Sequence, residues 1–110
     1  MLITTYKLID KAYKGDIIIE SPGQLQVSGM ANSKIYVHMG SELVVDGMIN
    51  GDIFIENNSV TSINGTVNGT IINHGRLHIN GTVNTIHNYS NDFFIDQNAI
   101  IRNNFIDHRK

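Results

Sequence analysis

The residues that could do chemistry are few, and three histidines in the second half of the chain come first: His74, His78 and His87. On a helix, the four-residue spacing of His74 and His78 would set two imidazoles on one face, as in a zinc pair. In an extended strand, residues four apart also share a face but lie about 13 Å apart along it, too far for one ion. Only a corner at Gly75 could fold them together, so they read as surface histidines. The carboxylates Asp46, Asp52 and Glu56 offer no general acid set opposite a base, and no serine, histidine and aspartate form a nucleophilic arrangement. Gly65-Thr66-Val67-Asn68-Gly69 has the glycine spacing of a phosphate-loop fragment, but neither a helix nor a Gly-Lys-Ser ending follows it. The expectation is a protein that is not an enzyme and holds no cofactor or metal.

The elements that carry these residues are set by a repeat. Asn32, Asn50, Asn68 and Asn84 recur at 18, 18 and 16 residues. Aligned on them, the chain falls into columns: Leu25, Leu43, Thr61 and Leu77; Val27, Val45, Ile63 and Ile79; Gly29, Gly47, Gly65 and Gly81. Each lap is one coil of a solenoid. Ile9, Tyr13, Ile17 and Ile19 extend the columns backwards onto Val27, Ala31, Ile35 and Val37. Phe93, Ile95 and Ala99 extend them forwards from Leu77, Ile79 and Val83. Apolar and polar residues alternate within a lap, as in Ile53-Phe54-Ile55, which is the period of a strand with one buried face. Turns punctuate each lap three times: at the glycine column, where positive φ is expected; after the asparagine column, at Asn50-Gly51, Asn68-Gly69 and Asn84-Thr85; and more loosely at Pro22-Gly23, Gly40-Ser41 and His74-Gly75. The fold class predicted is all-β: a short parallel β-helix of about six triangular coils, one domain over 1–110.

A hairpin meander would also use Asn-Gly turns, but reversal gives no reason for one residue type to return every lap. Stacked coils do, because equivalent residues then lie about 4.8 Å apart, within reach of amide-to-amide hydrogen bonds. Asn32, Asn50, Asn68 and Asn84, with Gly29, Gly47, Gly65 and Gly81, are therefore expected as a structural ladder, with Asn73 and Asn91 off it. Eighteen residues also equal three hexapeptides, the rhythm of left-handed helices. The later laps shorten to 16 without losing register, which favours a right-handed coil.

A β-helix exposes strand edges and a slice of core at each end. Lys7 and Lys11 stand in the leucine and glycine columns, so residues 1–14 are expected as an N-terminal cap and 93–110 as the last coil with a C-terminal cap. Phe93, Phe94, Phe105 and Ile106 are the candidate self-association residues. Composition fits a compact domain, with 41% apolar residues and only 16% charged. The formal charge of −2 gives no field for a nucleic acid partner. No transmembrane segment is legible, the start lacks the basic and apolar regions of a signal peptide, and the absence of cysteine fits a cytoplasmic location.

From Leu25 to about Val83 the columns resemble a family, in segments such as Leu43-Val44-Val45-Asp46-Gly47-Met48-Ile49-Asn50-Gly51-Asp52-Ile53-Phe54-Ile55. The family is the bactofilins, bacterial cytoskeletal proteins built as short right-handed β-helices. The resemblance implies a structural protein that self-associates end to end into filaments or small oligomers, its partner being itself. The alternative that the residues leave open is a module that binds one protein partner along a face of the prism, such as an immunity protein neutralising a cognate bacterial toxin.

Overall fold

The computed structural model describes residues 1–109, which form strands and turns and no helix. The first lap is β1 (Leu2–Ile3), β2 (Tyr6–Ile9) and β3 (Ala12–Lys14); the second is β4 (Ile17–Ile19), β5 (Gln24–Val27) and β6 (Met30–Asn32). The third is β7 (Ile35–Val37), β8 (Glu42–Val45) and β9 (Met48–Ile49), and β10 (Ile53–Ile55) and β11 (Val60–Ile63) follow. From there the strands lengthen: β12 (Thr66–Asn73), β13 (Arg76–Ile79), β14 (Thr82–Asn88), β15 (Phe93–Ile95) and β16 (Ile100–Asp107). They stack into three columns. The first face is β2, β5, β8, β11, β13 and β15; the second begins β3, β6, β9; the third begins β1, β4, β7, β10. The strands β12, β14 and β16 run across the corner and supply both of the latter faces. The pairings are parallel, and the molecule is a β-solenoid of about six turns.

The register follows the repeat: Leu25 lies on Leu43, Thr61 and Leu77 in turn, and Val27 on Val45, Ile63 and Ile79. Every one of these is buried, with Ile17, Ile35, Ile53 and Ile71 forming a parallel column on the third face. Burial of each such aliphatic side chain contributes roughly 1.5–3 kcal/mol, and the stacking makes the core a continuous rod. Thr61 is the exception in its column, its hydroxyl buried with no partner among the described residues.

Three expectations change. The glycine column does not owe its glycines to positive φ, which occurs instead at Gly15, Gly40 and Asn58. A Cβ at Gly47 would run into the carbonyl oxygen of Gly29 one coil below, and one at Gly65 into that of Gly47, so the column is glycine because the coils approach too closely for a side chain. The turn expected at Asn68-Gly69 and Asn84-Thr85 is not a break either: β12 and β14 continue through it, and the corner is carried by a shift of pairing register between Val67 and Thr70. That shift alters the step on the third face to 15 residues between Ile71 and Ile86, then 19 to Phe105. Ile101, not Ala99, stands over Val83, because the turn from β15 to β16 is two residues longer than that from β13 to β14.

The altered step sets Asn88 over Asn73 in a core column. Val37, Ile55, Asn73, Asn88 and Asp107 succeed one another. Asn73 and Asn88 are both fully buried. Asn73 donates to Asn88 Oδ1 at 3.0 Å and accepts from the Gly75 amide at 3.1 Å, while Asn88 donates to the Ser90 carbonyl at 2.8 Å. These bonds fasten the third corner, where a tight turn returns the chain to the first face.

Outside, the third face carries an apolar column. It runs from Leu2 through Ile18, Tyr36, Phe54 and Ile72, past His87, to Ile106. The Tyr36 and Phe54 rings stack at 5.0 Å and 10°.

Candidate functional site at the ends of the coil stack

At the first end, β1, β2 and β3 pair upward with β4, β5 and β6, and among the described residues their other edges have no strand beside them. Residues 1–14 therefore form the lowest rung, with strands in register with those above. The terminal ammonium donates to the Asp16 carbonyl at 2.8 Å. Ile3 and Ile9 are the only aliphatics of this rung that are buried among the described residues, and Leu2, Tyr6 and Leu8 are exposed. The carbonyls of Thr5 and Ile9 receive amides from Gln24 and Ser28 above. Because backbone groups alternate in direction along a strand, those of Tyr6 and Leu8 face outward along the axis.

At the second end no residue after Asn88 is fully buried among the described residues. Phe93, Ile95, Ile101 and Phe105 stand over Leu77, Ile79, Val83 and Ile86 and are half-buried. Of the four candidate self-association residues, Phe93 and Phe105 belong to this end, their rings 5.4 Å apart. Phe94 and Ile106 point to the sides, Phe94 meeting His78 edge-on at 4.9 Å on the first face and Ile106 closing the column of the third. The Arg109 guanidinium lies 4.8 Å over the Phe93 ring. It donates to Asp107 Oδ2 at 2.6 Å and Oδ1 at 2.9 Å, and to Asn91 at 3.2 Å. Those side-chain bonds from Arg109, joined by its backbone amide, hold the Asp107 carboxyl down to about 2. Lys110, the last residue of this stretch, lies outside the described residues.

Along the sides, Asn50 donates to Asn32 at 2.9 Å and Asn68 to Asn50 at 2.7 Å. Asn84 makes no side-chain hydrogen bond among the described residues, since the register shift displaces it; Arg102 donates to Asn68 instead. A second polar chain runs from Tyr6 through Gln26 and Asp46 to Asn64 at 2.8 to 3.0 Å, and the bond from Asn64, then that from Gln26, lowers the Asp46 pKa.

The histidines take places that their spacing did not disclose. His74 and His78 stand on different columns. His74 belongs to the third corner, where Glu20, His38, Glu56, His74, Tyr89 and His108 each follow a residue of the stacked third-face strands. His38 lies 3.9 Å from a carboxylate oxygen of Glu20 and 3.9 Å from one of Glu56. The rings of His74, Tyr89 and His108 stack at 4.5 and 4.4 Å, and His87 Nδ1 meets His108 Nε2 at 2.9 Å. Each His38 nitrogen faces a different carboxylate, and no group of three or more such ligands converges on one point among the described residues. Among the described residues no helix is long and apolar enough to cross a membrane. Compared with protein-family models, with curated proteins and with solved structures, the chain matches none of them.

Proposed function

We propose that the chain is a non-enzymatic structural protein of bactofilin-like kind, which self-associates end to end into filaments or small oligomers. The observation that carries the reading is the state of the two ends. Each presents strand edges with unpaired amides and carbonyls, and the second adds the half-buried Phe93, Ile95, Ile101 and Phe105, which a second copy would finish burying. Sedimentation over a range of concentrations tests it: mass should climb beyond a dimer. Leu8→Pro should block that growth, because it deletes an amide that faces along the axis and none that bonds within the chain. Phe105→Glu should do the same from the other end, with strand content by circular dichroism retained. A wild-type protein that stays monomeric at all concentrations would sink the reading.

A second reading, a module that blocks a protein partner such as a bacterial toxin, draws on the third corner. There a concavity lined by Thr4, Glu20, Ser21, His38, Met39 and Glu56 sets carboxylates and imidazole side by side. The monomeric outcome of the same measurement favours it.

A further inference from the structure

We propose that the third face is a lateral docking surface for a second copy of this chain, packed face to face with the two solenoid axes antiparallel. The apolar column spans the length of the molecule, whose extents are 34 × 24 × 20 Å. Five residues per rung from border to border span about 16 Å, so over that length the face covers roughly 550 Å², near the low end of the 600–1,000 Å² or so per partner of a standard interface.

The borders of the column determine the occupant and its orientation. On one side Asp16, Lys34 and Asp52 succeed one another, each preceding a strand of the stack. On the other side the order is Glu20, His38, Glu56 and His74. Both borders therefore alternate in charge from rung to rung, with histidine supplying the cation when protonated. Two flat sheets can meet about a two-fold axis in two ways. With the axes parallel, each rung meets its own copy with the borders exchanged, so that Asp16 faces Glu20, Lys34 faces His38 and Asp52 faces Glu56. Like meets like on every rung, which opposes association.

With the axes antiparallel and the two-fold axis between the rungs of Tyr36 and Phe54, each border meets itself reversed. Lys34 then faces Asp52 of the second copy, and His38 faces Glu56. Along the column Tyr36 meets Phe54 and Ile18 meets Ile72. A shift by half a rung, which puts the two-fold axis on a rung, would bring Lys34 onto Lys34 or Asp16 onto Asp52. The alternation thus selects the direction and sets the two-fold axis between rungs, and overlap of the apolar column selects the position between Tyr36 and Phe54 over the one between Ile18 and Tyr36. The contact uses the sides of the prism, and it holds whether or not the ends associate.

The experiment uses the Leu8→Pro chain, in which end-to-end growth is blocked. Its mass should saturate at twice that of the chain, and Tyr36→Glu added to it should give a monomer. Lys34→Glu should weaken the dimer about tenfold or more, through two symmetric like-charge contacts, and adding Asp52→Lys should restore it. The chain has no cysteine, so Ile18→Cys and Ile72→Cys proteins can be mixed and joined with a short bismaleimide. Cross-links between positions 18 and 72 are expected. Links from 18 to 18 would mean a parallel pair and overturn the proposal. So would a Leu8→Pro protein that stays monomeric, which would leave the face to a partner of another kind.

Discussion

Asn73 sits in the core with no exposure, and its amide carries one bond to Asn88 and one from the Gly75 backbone. Removing a buried partner leaves the other group desolvated, at about 1–3 kcal/mol. Asn50 bonds to Asn32 and Asn68 at the surface, where water replaces a lost amide, so its removal should cost below about 1 kcal/mol. Asn73→Ala is therefore expected to lower stability in urea more than Asn50→Ala, and the order of the two midpoints is the check. The sequence reading ranks them the other way, for a physical reason. A ladder is visible where the lap is constant, as from Asn32 to Asn68. Asn73 stands one 18-residue lap after Ile55, but its polar type in an aliphatic column and the 15-residue step to Asn88 hide the pair. The Glu20, His38, Glu56, His74 corner keeps the 18-residue lap, but its residues differ in type from lap to lap, so no column of one type marks it. The glycine column was legible as a pattern but not in its cause, which is a carbonyl one coil below and has no local signature.

At the level of elements, alternation and period were sufficient for the strands, the parallel stacking and the three faces. They failed where β12, β14 and β16 run on through a corner by a register shift, because Asn68-Gly69 and Asn84-Thr85 read as turns that end a strand. The last of these strands is fastened at its end by Asp107 and Arg109, which holds the aromatic pair at the open end in place. Asp107 is held down to about 2 by Arg109, below an unfolded value of about 3.9. A depressed carboxylate contributes stability that is fully present above the unfolded value and is lost as pH falls through the folded one. The clasp should therefore loosen between about pH 4 and pH 2, with the last coil fraying before its neighbours in a nearest-neighbour solenoid. Hydrogen exchange at Ile106 and His108 should accelerate over that window in the native protein. In Asp107→Asn, whose side chain does not titrate, the acceleration in that window should be absent.

For the whole molecule, the order in which the strands begin and end constrains how one copy could continue another. The chain starts on the third face with β1 and rises through β2 on the first and β3 on the second, while its last lap rises from β15 on the first face to the end of β16 on the third. A second copy set down without rotation, with β2 over β15, would need β1 and the end of β16 to occupy the same site. Turned by one face, it continues the ramp without gap or clash: β1 falls over β15, β2 over the start of β16, and β3 over its end. If the ends do associate head to tail, Leu2 of one copy and Phe94 of the next should therefore be neighbours, both outward on their strands and exposed. Mixing Leu2→Cys and Phe94→Cys proteins with a short cross-linker should join them, whereas linkage of Leu8→Cys to Phe94→Cys would indicate an unrotated stack. The turn also bears on the lateral contact. Successive copies would present their apolar third faces in three directions by turns, so pairing through that face would tie each filament to several neighbours and give bundles or nets where a straight stack would give isolated pairs.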